Sequence, residues 1–115
     1  MSYKTIEING IEYVPRTKAT MKENYVLVRT HSAGVFVGEL IKRDGKEVVL
    51  KNARRLWYWK GAASLSQLAM EGVKNPEECK FPCEVKEILL TEAIEIIKLT
   101  ERAFNSIQEV KIWEK

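Results

Sequence analysis

Hydrophobic and polar residues alternate along two short runs near the start of the chain, residues 3–8 and 11–14, which flank the dipeptide Asn9-Gly10. Alternation with a period of two is typical of β-strands. Both central positions of a type I′ turn need a positive φ, and an Asn-Gly pair meets that requirement well. The pattern therefore predicts an N-terminal β-hairpin.

A polar stretch without periodicity, residues 16–23, follows Pro15. Such a stretch is typical of a linker. We therefore divide the chain into an N-terminal β-hairpin with its linker, residues 1–23, and a main domain, residues 24–115. The hairpin is expected to be an appendage to that domain.

Three further strands are predicted in the first half of this domain. Residues 25–30 form one strand, and residues 35–43 and 46–51 form a second hairpin around Asp44-Gly45. A two-residue loop at this dipeptide fixes the pairing register. The expected cross-strand pairs are Lys42 with Glu47 and Ile41 with Val48, one pair of opposite charges and one apolar pair.

Two helices are predicted from their capping residues. The segment Ser64-Leu65-Ser66-Gln67 fits a capping box, in which the Ser and Gln side chains satisfy free backbone N–H groups. Gly72 is a natural end for this helix. Thr100 followed by an acid predicts the start of a second helix, because Thr is a good N-cap and negative charge is favourable in the first turn.

The stretch between these helices, residues 84–99, fits two patterns. Its apolar positions have helical spacing, but its many β-branched residues also suit one or two buried strands. A helix that begins at Thr100 implies a break there, which favours strands before it. The predicted fold class is thus α+β, a mostly antiparallel sheet with two helices.

Composition narrows the functional classes. The chain has 115 residues and a formal charge of +3, which is a weak basic excess for a protein that binds duplex DNA. Its single histidine, His31, and single aspartate, Asp44, leave little for a catalytic triad, and Asp44 lies in a predicted turn. The segment Glu84-Val85-Lys86 resembles a nuclease motif but lacks the additional metal-binding carboxylate that such chemistry needs. We expect a protein that is not an enzyme.

The cysteines and the hydropathy pattern give expectations about metals, cofactors and cellular location. Cys79 and Cys83 are too few ligands for a four-coordinate zinc site, so we expect two reduced cysteines, no metal and no cofactor. No apolar run approaches the ~20 residues of a membrane span. The N-terminal residues show no signal-peptide pattern, so a cytoplasmic location without a membrane partner is expected.

The segment Arg54-Arg55-Leu56-Trp57-Tyr58-Trp59-Lys60 combines three cations with three aromatic rings. On a strand, Arg55, Trp57 and Trp59 would share one face, which could stack a nucleobase and bind phosphate. The alternative is that at least one tryptophan fills the core. A single-stranded nucleic-acid binding module that uses this strand is one functional hypothesis.

The predicted turn after the first strand of the domain is a second candidate. Ser32-Ala33-Gly34 would let a ligand approach the backbone closely, and the N–H groups of a turn can bind an anion, with Arg29 adding positive charge. Most such turns only connect strands. Arg102, in the first turn of the last helix, would lie where anions are already favoured, and Phe81 is either a core residue or an exposed stacking ring.

Several blocks of the sequence resemble a family of small phage and prophage proteins, the first-described Thoeris anti-defence family. The likeness is carried by residues 28–36 and 52–69 and by the tail segments 94–97 and 100–103, and it spans about residues 24–113. Members of that family are sponges that sequester the cyclic ADP-ribose isomers made by bacterial TIR immune proteins. Some members also bind the cyclic di- or trinucleotides of CBASS systems.

The resemblance implies an α+β domain that assembles into dimers or hexamers and holds the ligand at a subunit interface in the host cytoplasm. An adenine would stack on an aromatic ring and an arginine, and the diphosphate would meet cations and backbone N–H groups. The candidate ligand-binding residues are Arg29, Ser32, Ala33, Gly34, Arg54, Arg55, Trp57, Phe81 and Arg102.

Overall fold

A computed structural model describes residues 6–8, 11–13 and 24–114. Strands β1 (Ile6–Ile8) and β2 (Ile11–Tyr13) pair antiparallel, with Ile8 opposite Ile11. This confirms the N-terminal hairpin. The predicted linker, residues 16–23, lies outside the described residues.

The rest of the described chain is a five-stranded antiparallel sheet with two helices. The elements are β3 (Tyr25–Thr30), β4 (Val35–Asp44), β5 (Glu47–Arg55), α1 (Leu65–Glu71), a short 3-10 helix (Pro76–Glu78), β6 (Val85–Leu90), β7 (Ala93–Lys98) and α2 (Glu101–Gln108). The strands of the sheet lie in the order β6-β5-β4-β3-β7. The α+β fold class is confirmed, and residues 84–99 form two strands rather than a helix.

The sheet must curl, because strands at its two opposite edges are joined by only two residues. Leu90 ends β6 and Ala93 begins β7. Three residues of chain span at most about 11 Å, whereas the edges of a flat five-stranded sheet lie about 19 Å apart. Two hydrogen bonds help to close the gap: Ala93 N–H donates to the Lys46 carbonyl and His31 N–H donates to the Glu92 carbonyl, both at 3.0 Å. The result is a partly closed barrel.

The interior of this barrel is a compact apolar cluster. Its largest fully buried side chains include Phe36, Val28 and Leu50. Both helices pack on the other face of the sheet, so it is the curl that removes this cluster from water. The full set of buried members is Val26, Val28, Phe36, Val48, Leu50, Ala53, Leu90 and Ala93.

A second cluster lies between the outer face of the sheet and the two helices. It joins Leu27 and Val37 of the sheet to Leu68 of α1 and Phe104 of α2. Tyr25 packs edge-on against Phe104, with ring centroids 4.7 Å apart. Both faces of the sheet are therefore apolar, which explains the runs of buried residues in β3.

The predicted helix starts are confirmed. Ser64 Oγ accepts from Gln67 N–H at 3.1 Å, and Gln67 Oε1 accepts from Ala63 N–H at 2.8 Å. Thr100 Oγ1 accepts from Ala103 N–H at 3.1 Å. The bonds to Ser64 Oγ and Thr100 Oγ1 satisfy backbone donors that the first turn of a helix leaves without a partner. The Gln67 side chain accepts from Ala63, the residue before the N-cap, rather than from Ser64 as in a capping box.

The register predicted for the hairpin of β4 and β5 is wrong. The structure pairs Lys42 with Val49, because the two connecting residues are Gly45 and Lys46 rather than Asp44 and Gly45. Ile41 is an extra residue on β4, and Asn52, with φ of 51°, lies at a second irregularity in the pairing. Such bulges bend a strand, and they contribute to the curl.

No helix in the described part of the chain is long and apolar enough to cross a membrane.

Candidate functional site

A pocket of about 250 Å³ opens at one end of the barrel, where the link between β6 and β7 meets the end of β3. Three of the predicted ligand-binding residues, Ser32, Ala33 and Arg55, line it together. The remaining lining residues are Thr30, Ile88, Leu89, Leu90, Thr91 and Glu92. Strand pairing therefore brings the two sequence blocks that contain Ser32 and Arg55 to one site.

Arg55 supplies the positive charge of this pocket. It is the last residue of β5 and pairs with Phe36 of β4. Its guanidinium carbon lies 4.6 Å from the centroid of the Phe36 ring. Among the described residues it makes neither an ion pair nor a side-chain hydrogen bond. The aromatic ring thus restricts the guanidinium while its N–H donors remain available to an anion.

The turn after β3 is shaped by a single buried threonine. Thr30 Oγ1 donates to the Gly34 carbonyl at 2.7 Å and accepts from Ala33 N–H at 2.9 Å. Gly34 has φ of +105°, a conformation that side chains disfavour. The N–H groups of Ser32 and Gly34 have no hydrogen-bond acceptor among the described residues. The turn therefore presents free donors at the edge of the pocket.

One carboxylate opposes anion binding at this site. Ser32 Oγ donates to Glu92 Oε1 at 3.4 Å, and both residues line the pocket. Arg29 lies outside the lining, and its side chain is paired with Glu95 at 3.1 Å on the exposed surface. Arg29 would have to leave that partner to reach a ligand.

The environment of Arg54 differs from that expected of a ligand-binding residue. Its side chain is only 5% exposed, and the guanidinium donates to four backbone carbonyls at 2.7–3.2 Å. The acceptors are those of Phe81, Pro82, Ile107 and Val110. Burial lowers the pKa of this guanidinium below its ordinary value. Arg54 is a structural residue that ties β5 to the end of α2, and it is not accessible to a ligand.

Phe81 is corrected in the same way. Its ring is fully buried in the outer cluster, with the Arg54 guanidinium 5.4 Å from its centroid. An interior ring cannot stack on a nucleobase at the surface. Arg102 is exposed in the first turn of α2 but is not among the residues that line the pocket.

Trp57 lies on a different part of the surface from the pocket lining. Its ring stacks on Trp113 with centroids 5.0 Å apart and an interplanar angle of 11°. Lys80 Nζ lies 5.6–5.8 Å from the ring centroids of Trp57, Tyr58 and Trp113. We call these four residues the tryptophan platform. Trp59 is half-buried and packs against the outer cluster, whereas Trp57 faces solvent.

Two of the three cations on which the nucleic-acid hypothesis for residues 54–60 depends already have protein partners. Arg54 is interior, and Lys60 pairs with Glu78 at 3.1 Å on the surface. The hydrogen bond and the charge of Glu78 raise the pKa of Lys60. A continuous row of free cations along this segment is therefore not what the structure shows.

Neither cysteine is in a disulfide bond. Both are free thiols; Cys79 is buried and Cys83 is exposed. Burial raises the pKa of the Cys79 thiol, which disfavours its thiolate form. No group of three or more His, Cys, Asp or Glu side chains within the described ranges is arranged to hold a metal ion.

Residues of these surfaces that were not predicted include Thr30, Glu92, Lys80 and Trp113. Thr30 ends the strand before the predicted turn, and Glu92 joins the pocket through the barrel closure, which has no local sequence signal. Trp113 could have been suspected as a large apolar ring in a polar tail. Its partner Trp57 is known only once the chain is folded.

The fold and the pocket define a small α+β domain, a partly closed antiparallel barrel with two helices on its outer face and a cationic pocket at one end. The chain belongs to the family described as a domain of unknown function, DUF6948, whose model matches residues 23–107. No curated protein and no solved structure matches the chain.

Proposed function

We propose that this protein is a phage anti-defence sponge. It binds a cyclic ADP-ribose-type signalling nucleotide in the host cytoplasm and withholds it from Thoeris immunity, without cleaving it. A related capacity for the cyclic oligonucleotides of CBASS systems is included in the proposal. The observation that supports it is the pocket in which Ser32, Ala33 and Arg55 come together at the barrel end.

The donors around the pocket suit a diphosphate. The guanidinium of Arg55 can donate two parallel hydrogen bonds to phosphate oxygens. The N–H groups of Ser32 and Gly34 add neutral donors in a turn, a common arrangement for anion binding. The apolar side chains of Ile88 and Leu89 line the other side and could contact a base or ribose.

The size of the pocket bears on the assembly. Pockets that hold a whole small molecule have volumes of about 300–1,000 Å³, and this one has about 250 Å³. One chain would therefore enclose only part of a cyclic dinucleotide-sized ligand. The proposal accordingly includes a homo-oligomer, a dimer or hexamer, in which a second subunit covers the remainder of the ligand.

Capture without turnover fits the lining residues. Their titratable groups are one carboxylate, Glu92, and one guanidinium, Arg55. General acid-base cleavage by paired carboxylates needs a second acid at a suitable distance. The exposed His31 lies next to the turn but is not among the lining residues.

The test is calorimetric titration of the purified protein with two cyclic ADP-ribose isomers, linear ADP-ribose and a cyclic dinucleotide. Nanomolar binding of one cyclic isomer, about −12 kcal/mol, and recovery of the intact ligand after denaturation are the expected results. Arg55→Ala should abolish binding and lower Tm by no more than a few degrees. Arg43→Ala is the matched control, because it removes an exposed arginine that does not line this pocket.

Two results would contradict the proposal. One is the absence of binding to every cyclic nucleotide while the protein remains folded. The other is recovery of a hydrolysed ligand, which would make the protein an enzyme.

A further inference from the structure

We infer that the tryptophan platform is a binding site for single-stranded nucleic acid, separate from the pocket at the barrel end. The platform consists of Trp57, Tyr58, Trp113 and Lys80. None of these residues lines the pocket, so the inference does not depend on the proposed function.

The rings of the platform are exposed to an unusual degree. Trp57 is 58% exposed, Tyr58 46% and Trp113 39%. The indole rings of Trp57 and Trp113 are nearly parallel at 11°, and their exposed surface is available to a further ring. Stacking of a base on such a ring contributes to single-strand binding regardless of sequence, because every base has a flat aromatic face.

The backbone beneath the platform is held firmly. Tyr58 and Lys80 exchange two backbone hydrogen bonds, at 3.2 and 2.7 Å. Trp113 N–H donates to the Phe81 carbonyl at 3.0 Å, and the same carbonyl accepts from the interior guanidinium of Arg54. The rings are therefore positioned before a ligand arrives, which lowers the entropic cost of binding.

The charge of the platform selects the class of ligand. The Lys80 ammonium lies near all three rings, and in the described part of the chain no carboxylate forms an ion pair with it. An apolar partner would bury this ammonium without a counter-charge, which is costly. A nucleic-acid strand presents a base for the rings together with a phosphate for the ammonium.

The same features favour a single strand over a duplex. Bases in a duplex are already stacked on one another and do not offer their faces. Duplex binding also relies on many phosphate contacts, whereas the platform has one unpaired cation, Lys80. Binding is therefore expected to depend mainly on stacking and only weakly on salt.

Tryptophan fluorescence provides the test. The protein is titrated with an oligothymidylate of about ten nucleotides, within the site sizes common for single-strand binding, and with an abasic strand of the same length. Quenching by the oligothymidylate and none by the abasic strand is the expected result. With one phosphate contact, the logarithm of the binding constant should fall with the logarithm of salt concentration at a slope of about −0.7.

Two variants separate stacking from charge. Trp113→Ala should weaken binding of the oligothymidylate by about 5- to 150-fold, the range measured for loss of one stacking ring. Lys80→Gln should retain most of the stacking and bring the salt slope close to zero. Arg55→Ala should leave oligothymidylate binding unchanged, and Trp113→Ala should leave cyclic-nucleotide binding unchanged.

Specific outcomes overturn the inference. Equal binding of the abasic strand would show that the bases are not recognised. Binding of an acidic peptide but not of the oligothymidylate would identify a protein-docking surface instead. Oligothymidylate binding that is lost with Arg55→Ala but kept with both platform variants would move the site to the pocket.

Discussion

Two consecutive arginines have opposite surroundings in this protein. Arg54 points into the layer between the sheet and the helices, where four carbonyls accept from it. Arg55 points the other way, over the ring of Phe36 and into an open pocket. Alternation along a strand places neighbouring side chains on opposite faces. The same side-chain chemistry therefore serves stability at one position and remains available for binding at the next.

The difference lies in which partners each guanidinium meets. Two of the carbonyls bound by Arg54, those of Ile107 and Val110, lie at the C-terminal end of α2. Carbonyls at the end of a helix lack internal partners and carry partial negative charge. Arg54 is the donor to the Val110 carbonyl and a second donor to the Ile107 carbonyl, which also accepts from Val110 N–H at 3.2 Å. These bonds compensate for the burial of the guanidinium. Arg55 meets no such groups within the described residues.

The largest expected effect is on stability at Arg54. Arg54→Ala leaves the Pro82 and Val110 carbonyls without a donor, whereas the Phe81 and Ile107 carbonyls keep backbone donors. Each unsatisfied buried group costs about 1–3 kcal/mol, so we expect the free energy of unfolding in urea to fall by about 2–6 kcal/mol. Arg54→Lys should lose an intermediate amount, because one ammonium cannot reach all four acceptors.

Arg55→Ala is the matched control for this measurement. Its side chain contacts solvent and one ring, so its removal should cost no more than about 1 kcal/mol. Equal losses at the two positions would show that the division into a stabilising and a binding arginine is wrong.

The next largest expected effect is a loss of stability at alkaline pH in the layer between the sheet and the helices, where Tyr25 is buried. Burial, followed by the charges of Glu84 and Glu39, raises the pKa of Tyr25 from 10.0 to about 12. The folded state thus holds this proton more tightly than the unfolded state does. The corresponding stability is fully present below pH 10 and is lost as the pH rises through 12, by up to about 3 kcal/mol.

Chemical denaturation at pH 9 and pH 12 measures this loss. Tyr25→Phe removes the ionisable group and keeps the ring that packs on Phe104. Between pH 9 and pH 12, the free energy of unfolding should therefore fall more for the wild type than for Tyr25→Phe. A constant difference would mean that Tyr25 is not the alkali-sensitive group of the helical layer.

A smaller effect is expected on the pocket side, at Thr30. Thr30→Val keeps the shape of the side chain but removes the hydroxyl that bonds both Ala33 and Gly34. Loss of these bonds should cost about 1–2 kcal/mol of stability, and it should weaken cyclic-nucleotide binding because the turn is no longer fixed. Thr91→Val, at an exposed threonine in the same lining, is the control. Unchanged nucleotide binding by Thr30→Val would exclude the turn from the site.

The sequence predicts much of this fold because its signals are local. The caps at Ser64 and Thr100 are confirmed by hydrogen bonds within their own first turns. The register of β4 and β5 was not predictable in the same way. Its connecting residues are Gly45 and Lys46 rather than the expected pair, and the bulge at Ile41 has no local sequence signal.

The candidate site is predictable only in part, for a similar reason. A period of two indicates that Arg54 and Arg55 diverge, but it does not indicate which of them faces the helices. That choice depends on α2 and on the loop at Phe81, which lie far along the chain. The closure of β6 onto β7 that brings Glu92 to the pocket is likewise a property of the assembled barrel.

The smallest expected effect is a gain in binding at Glu92. Its carboxylate lies in the lining of the pocket and accepts from Ser32, so it repels an anionic ligand and engages a hydroxyl that could donate to it. Glu92→Gln removes the charge with little change in shape, and it should tighten cyclic-nucleotide binding by about 3- to 10-fold, roughly 1 kcal/mol near a protein surface. Calorimetric titration at low salt measures the gain, with Glu87→Gln on the exposed part of β6 as a control that changes the net charge equally. Equal gains in both variants would reflect net charge alone. Weaker binding by Glu92→Gln would mean that the Glu92 carboxylate accepts a hydrogen bond from the ligand, for example from a ribose hydroxyl.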